Sequence, residues 1–320
     1  MRAVQITTLD GPAAVELVDV PSPQPAEGQV LIRVRAAGVA FPEVLQSRGL
    51  YQLKPPLPFT PGAEISGDVI SAPEGSGLAP GDRVAALCLL GGFAEEAVAP
   101  VDQTFPIPDS ISYEQGAAIV FNYGTAIFAL VERGRITEGE TVLVHGAAGG
   151  IGTAAIQVAK AFGAGRVTAV TSTAEKGGIA LEAGADAFVL AEGFKDAVKE
   201  QGGVDVVVDP VGGDDRFTDS LRCLKEDGRL LVIGFTAGEI PSVKVNRLLL
   251  NNISVVGVGW GAYALSRPGH VASEWAALLP HLESGALRPV VGPTFPLAEA
   301  TQALLTLEER RATGKVLLLP

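Results

Sequence analysis

The sequence predicts an α/β protein in which a doubly wound parallel sheet accompanies a second, mostly β domain. Three observations carry this. From Thr141 onward six short apolar runs recur: TVLVHGA, RVTAVTS, DAFVL, VDVVVDP, RLLVIGF and ISVVGVGW. Helix-compatible segments at 150–164, 174–183, 193–200 and 215–224 separate the first five. The first hundred or so residues instead read as short strands divided by Pro and Gly. Near-continuous apolar strands alternating with helices mean a parallel sheet covered on both faces. Right-handed crossovers then wind it in both directions.

Each element follows from local pattern. Residues 29–36 (QVLIRVRA) alternate roughly by two, as a half-buried strand does. Prolines cluster at Pro21, Pro23 and Pro25 and again at Pro55, Pro56, Pro58 and Pro61. Pro80-Gly81-Asp82 is a turn leading into a strand at 83–87. Near residue 110 the character changes: Ser112-Tyr113-Glu114-Gln115 matches a capping box, followed by helical stretches, one at about 123–133. Beyond 261, residues 273–282 fit a helix and 315–319 (KVLLL) a final strand. The expected division is 1–120, 121–260 and 261–320, the outer two segments forming one domain.

Composition narrows the function. A chain of 320 residues with 47% hydrophobic residues supports two domains with buried cores. The formal net charge of −12 argues against a nucleic-acid or anionic-membrane partner, since both require a basic face. Neither a signal-peptide core near Met1 nor a bilayer-length apolar run is found. Cys88 and Cys223 lie far apart without metal spacing, which fits a reducing cytoplasm.

The strongest motif is Val142-Leu143-Val144-His145-Gly146-Ala147-Ala148-Gly149-Gly150-Ile151-Gly152. A buried strand ends in a small-residue turn that opens an apolar helix. Small residues let the backbone approach a pyrophosphate, and the helix N-terminus offers free amides and a positive dipole end. Gly152 permits close helix–strand packing. Ala147 stands where the usual pattern has Gly, so the surrounding strands and helices carry the assignment as much as the glycines do. NAD-selective sites place a carboxylate at the end of the next strand. Here that stretch reads Val170-Thr171-Ser172-Thr173-Ala174-Glu175-Lys176. Hydroxyls and an ammonium suit a 2′-phosphate, so NADPH is the expected cofactor. The plainer alternative is a solvated lysine beside a serine helix cap.

Other chemistries lack their residues. The three histidines, His145, His270 and His281, form no Cys/His cluster, so no metal site is expected. His145 reads as a packed residue behind the turn, while His270 and His281 read as loop and helix-surface residues. Cys88 reads as a small buried hydrophobe. A nucleophile elbow and a P-loop lysine are both missing. Hydride transfer, in which the cofactor carries the chemistry, is what remains.

Short runs along the whole chain then carry a resemblance. They include Ala37-Gly38-Val39, Arg48-Gly49-Leu50-Tyr51, Pro61-Gly62-Ala63-Glu64-Ile65-Ser66-Gly67, Gly81-Asp82-Arg83-Val84 and Gly91-Gly92-Phe93-Ala94-Glu95. Asn122-Tyr123-Gly124-Thr125-Ala126, Gly184-Ala185-Asp186, Asp209-Pro210-Val211-Gly212-Gly213 and Gly314-Lys315-Val316 follow. In this order and spacing the chain resembles the medium-chain dehydrogenase/reductase superfamily, and within it the zinc-free quinone oxidoreductase (zeta-crystallin-like) branch. The resemblance implies a GroES-like β domain built from both chain ends, with a Rossmann-like domain inserted. It also implies a homodimer joined through the last strand, at 253–260. Ala63 stands where zinc enzymes typically have His, and Val39-Ala40-Phe41 occupies the segment that supplies their catalytic Cys. Many members of the branch have Asn where this chain has Ala40.

Carried over by position, the resemblance puts Tyr51 in the cleft near the nicotinamide and Thr125 beneath its ring. Gly149, Gly150, Ile151 and Gly152 would hold the pyrophosphate, and Ser172 and Lys176 the 2′-phosphate. Gly234, Phe235 and Thr236, with Val258 and Trp260 at the end of the sixth strand, would flank the nicotinamide. Lys315 is a further cofactor contact. Phe41, Tyr51, Phe93 and Trp260 would shape the substrate pocket. The expected reaction is hydride transfer from NADPH to a quinone or an enone, the proton coming from water or from Tyr51, whose alternative role is packing alone. Two rivals stand beside it. One is a 2-enoyl thioester reductase of the acryloyl-CoA type, for which Arg48, Lys54 and Arg247 are the available cations. The other is a non-catalytic NADPH-binding protein.

Overall fold

A computed structural model describes residues 1–320. In chain order, β1 (Arg2–Ile6), β2 (Val15–Asp19) and β3 (Gln29–Val39) lead into helix α1 (Phe41–Ser47). Strands β4 (Glu64–Ser71), β5 (Arg83–Leu87), β6 (Glu96–Pro100) and β7 (Thr104–Pro106) follow, then helices α2 (Tyr113–Gly116) and α3 (Val120–Ile127). The βα alternation comprises β8 (Thr141–Val144), α4 (Gly150–Ala161), β9 (Arg166–Thr171), α5 (Ala174–Glu182), β10 (Ala187–Leu190) and α6 (Phe194–Glu200). It continues through β11 (Val204–Asp209), α7 (Asp214–Cys223), β12 (Leu224–Val232), α8 (Asn246–Asn251) and β13 (Ser254–Gly257). Helices α9 (Trp260–Leu265) and α10 (His270–Glu283), strand β14 (Val291–Pro296), helix α11 (Ala300–Glu308) and strand β15 (Lys315–Leu319) complete the chain.

These elements form two compact units. The first comprises Met1–Phe121, Pro268–Glu283 and Pro289–Pro320. Its main sheet runs β14-β15-β3-β4-β5-β7, with β6 added to β3, so the last strand of the chain pairs with one of the first. That pairing is antiparallel, with Leu317 opposite Gly38. The core behind it gathers Val30, Ile32, Ile65, Phe93, Leu304 and Leu318, from both chain ends. Burial of such side chains stabilises each by about 1.5–3 kcal/mol, which is what draws the C-terminal strand back to the N-terminal sheet.

The second unit comprises Asn122–Arg267 and Ser284–Arg288. Its six strands run in the order β10-β9-β8-β11-β12-β13, every neighbouring pair parallel. This is the doubly wound sheet that the six apolar runs predict, with the order reversing beside β8. Its helices begin as the punctuation demands. Thr173 caps α5 by accepting the Lys176 amide at 3.2 Å. In the first unit Ser112 and Gln115 close the expected capping box, although the helix it opens is a single turn.

Three expectations are corrected. The sixth strand ends at Gly257, and Trp260 opens helix α9 instead of terminating the strand. Gly257 and Gly259 flank Val258, and glycine is a poor strand continuer. His270 is not a surface residue: it starts α10, its side chain is only 9% exposed, and its Nε2 lies 3.1 Å from Glu274. The second unit also extends past residue 260 to include α9 and 284–288. Gln157 holds the latter piece, accepting from the Arg288 amide and donating to the Arg288 carbonyl, both at 2.8 Å. No helix is long and apolar enough to cross a membrane.

Candidate active site

In the second unit the site is built at the C-terminal ends of the parallel strands. Strand β8 ends at Val144, and the turn that follows needs a left-handed residue, supplied by Gly146 at φ +57°. Gly149 is the N-cap of α4, and no side chain caps that helix. Its first-turn amides and positive dipole end are therefore left to a ligand. A Cβ on Gly152 would collide with the carbonyl oxygen of Gly146 and lie 2.6 Å from Ala147 Cα. Glycine at 152 is thus what lets α4 close onto the turn. Ala147 donates its amide to Val170 O at 3.3 Å, fastening the turn to the end of β9.

That fastening sets Ser172 beside the glycines. The helix cap here is Thr173, so the serine cap considered as the plainer alternative does not form. Ser172 is exposed and its hydroxyl bonds to nothing in the chain. Lys176 lies in the first turn of α5, half-buried. No carboxylate stands at the end of β9, which finishes Ala169-Val170-Thr171. Behind the turn, His145 is fully buried, with Nε2 2.7 Å from Ser220 Oγ and its ring edge-on to Phe194 at 4.9 Å. Burial pushes its pKa down to about 4, so it is neutral near pH 7 and acts as packing.

The other expected nucleotide contacts share this edge of the sheet. Asp209 Oδ1 accepts the Val211 and Gly212 amides at 2.9 and 3.0 Å, shaping the loop after β11. Thr236 then donates both its amide and its hydroxyl to Pro210 O, at 3.3 and 3.2 Å, locking Gly234-Phe235-Thr236 against that loop. Val258 donates to Val232 O at 2.9 Å and is buried. Trp260 is only 3% exposed, so it supports the wall more than it lines a surface. Thr125 is buried within α3.

In the first unit, Phe41 opens α1 and packs partly buried against the β core. Tyr51 follows α1 and is half-buried; burial and the charge of Glu43 raise its phenol above the usual tyrosine range. Phe93 is corrected: at 0% exposure it is a core residue and presents no face to a substrate. Lys315 is corrected as well. Its ammonium is buried in an ion pair with Glu64, and 5.7 Å from the Phe121 ring, so it is committed within the β unit. Gly38 makes the pair possible, because a Cβ there would lie 2.5 Å from Lys315 Cε and 2.7 Å from Glu64 Cγ.

Glu43 is absent from the residues that the sequence singles out. It is 1% exposed, and its two oxygens accept the Ala40 amide at 2.9 Å and the Ala63 amide at 3.2 Å. The one local signal is Glu at the third position of a helix start, as in a capping box, with Ala40 lacking the usual hydroxyl. Burial raises its carboxyl to about 7, against the pull of Lys315. Cys88 donates its thiol to Gly62 O and Ala63 O at 3.4 Å each, and burial pushes it up to about 12. Zinc requires converging thiolate or imidazole donors. The groups gathered around Ala63 are two carboxyls, an ammonium and a single thiol, with no imidazole among them. Arg48 pairs with Glu308 at 2.7 Å on the surface of the first unit.

A glycine turn of this kind in a doubly wound sheet, in one chain with a GroES-type β unit, defines a nucleotide-dependent oxidoreductase of the two-domain class. Residues 26–109 match the family described as alcohol dehydrogenase GroES-like domain, and residues 150–284 the family described as zinc-binding dehydrogenase. Quinone oxidoreductase-like protein 2 of Mus musculus is 40% identical, over 99% of this chain and 91% of its own. The quinone oxidoreductase of Thermus thermophilus, solved also in complex with NADPH, is 38% identical with full coverage of both chains and a TM-score of 0.87. That of Escherichia coli, complexed with NADPH, is 29% identical, again with full coverage, at a TM-score of 0.89. The chain belongs to the medium-chain dehydrogenase/reductase superfamily, in its quinone oxidoreductase branch.

Proposed function

We propose that this protein is a zinc-independent, NADPH-dependent reductase acting on a quinone or an α,β-unsaturated carbonyl compound. The observation that carries the reading is the end of β9. There the exposed Ser172 hydroxyl and Lys176 stand next to an uncapped glycine turn, with no carboxylate to repel a 2′-phosphate. The NADPH-bound relatives support the same cofactor, and their names support the acceptor class.

When bound, NADPH supplies a hydride from its nicotinamide. The chain's own part is binding and positioning. Backbone amides of Gly150, Ile151 and Gly152 would hold the pyrophosphate at the helix N-terminus. Gly234, Phe235, Thr236, Val258 and Thr125, all of the second unit, would hold the nicotinamide end. Reduction of an enone or quinone leaves an oxyanion that takes its proton from water or from the Tyr51 phenol. Two copies pair through β13, an edge strand of the six-stranded sheet. The exposed Ile240, Val245, Leu249 and Leu250 lead into that strand and support the pairing.

Metal-stripped protein mixed with NADPH, or separately with NADH, and with a quinone, an enone or acryloyl-CoA, tests the proposal through nicotinamide absorbance. NADPH-selective oxidation by quinone or enone without added metal is the expected outcome. A requirement for zinc, or turnover confined to acryloyl-CoA, overturns it. Tight NADPH binding with no turnover of any acceptor returns the protein to a non-catalytic role.

A further inference from the structure

A cavity of about 240 Å³ lies among helices α6, α7 and α8 of the second unit, lined by Lys199, Leu221, Arg222, Leu224, Arg247 and Asn251. Here α6 and α7 end and the chain enters β11 and β12, so the cavity stands at the N-terminal edge of the parallel strands. The glycine turn after β8 stands at the opposite edge. Three of the lining residues are cations and none is a carboxylate, in a chain whose 36 acidic residues outnumber its 24 basic ones.

Two of the cations have a local reason for their place. Lys199 and Arg222 stand in the last turns of α6 and α7, where positive charge complements the helix dipole. Arg222 also pairs with Asp219 at 2.7 Å. Arg247 has no such reason. It stands in the first turn of α8, the end at which a helix disfavours positive charge. Neither an ion pair nor a hydrogen bond holds its half-buried guanidinium. Its carbonyl accepts from the Asn251 side-chain amide at 3.0 Å, which sets residues 247 and 251 on one face of α8, toward the cavity. Leu249 and Leu250 take the exposed face.

Three like charges brought together repel one another, and an anion among them offsets that cost. A carboxylate offers them a single charge. A phosphate offers up to two charges and three acceptor oxygens, which a guanidinium fork engages in pairs. The volume is below the roughly 300–1,000 Å³ of pockets that enclose a drug-sized ligand, so it suits one phosphate group with little more. Leu221 and Leu224 give an attached organic group an apolar wall.

We propose that this cavity is a second anion site, in which Lys199, Arg222 and Arg247 hold a phosphate group at the edge of the sheet opposite the glycine turn. Occupancy ties α8 to α6 and α7.

Calorimetric titration of the NADPH-saturated protein tests this, because the cofactor then covers its own phosphate sites. The titrants are inorganic phosphate, phenyl phosphate and acetate, at one ionic strength set with chloride. Saturable phosphate binding is expected, weakened about tenfold or more by Arg247→Gln and by Lys199→Gln. Lys244→Gln, which removes an exposed charge outside the cavity, should change it by less than about twofold. Tighter binding of phenyl phosphate assigns the group to a phosphorylated compound resting on the leucines, and equal affinity assigns it to free phosphate; either upholds the site. No binding at millimolar phosphate overturns the proposal. So does acetate that binds as tightly, or a Lys244→Gln effect equal to that of Arg247→Gln. Thermal unfolding without phosphate gives a second reading. Arg247→Gln is expected to unfold at the wild-type temperature or above, whereas a drop of several degrees, or failure to fold, makes Arg247 a structural group and overturns its role.

Discussion

Single residues decide which cofactor fits. The strand-end position where a carboxylate would select NAD is occupied by Thr171 and Ser172, and the amide of Lys176 is held by Thr173, which fixes the first turn of α5. An ammonium set on a phosphate contributes roughly 1.5–3 kcal/mol through a charge-assisted hydrogen bond. Lys176→Ala is therefore expected to raise the Kd for NADPH by about 10- to 100-fold while leaving the Kd for NADH within a factor of about two. Fluorescence titration of the two cofactors measures this. Equal weakening of both would place Lys176 away from the 2′-phosphate. Gly152 and Gly38 show the same scale at work in packing, since each excludes a Cβ so that a neighbouring group can sit where function needs it.

Among the elements, the segment from 240 to 257 is the least covered part of the second unit. Helix α8 turns Leu248 inward but leaves Leu249 and Leu250 at 77% and 75% exposure, next to the edge strand β13. An unpaired edge strand beside exposed leucines is a self-association surface unless something blocks it, and no charge or proline interrupts Ser254–Gly257. On the proposed pairing, the double substitution Leu249→Glu, Leu250→Glu is expected to give a monomer where the unaltered protein is a dimer, read by light scattering, with the far-UV spectrum preserved. A dimer that survives would place the subunit contact elsewhere. Short helices such as α2, a single turn despite a complete capping box, show that a local start signal does not set length. At its end Gly116 packs against Ser66 so closely that a Cβ would lie 2.5 Å from the hydroxyl, so only glycine fits there.

For the molecule as a whole, stability should depend on pH through buried groups of opposite sign, Glu43 and His145 among them. The Glu43 pKa is raised from 4.5 to about 7, so its contribution is fully present below pH 4.5 and is lost as pH rises to about 7. The His145 pKa is lowered from 6.5 to about 4, so its contribution is present above pH 6.5 and is lost as pH falls toward 4. The two oppose each other across the same window and flatten the wild-type curve. Glu43→Gln removes one of them. Relative to wild type, that variant should gain on the order of 3 kcal/mol between about pH 4.5 and about pH 7, measured by urea unfolding at each pH. Parallel stability curves for the two proteins would show that Glu43 does not titrate in this range.

The order of residues along the chain is enough to read the local grammar of this protein. Apolar period, capping residues and glycine spacing are properties of neighbours in the chain. They identify the six strands of the parallel sheet, the turn after β8, the helix that follows it and the missing carboxylate at the end of β9. The family resemblance adds the β unit made from both chain ends. Which side chains meet across long separations is settled by folding alone. Lys315 reads as a cofactor contact until β15 pairs with β3 and delivers it to Glu64, 251 residues earlier in the chain. Phe93 reads as a pocket aromatic until the β core closes over it. Glu43 carries no chemical signal in the sequence, because its altered proton affinity arises from burial among groups that the chain brings together only on folding.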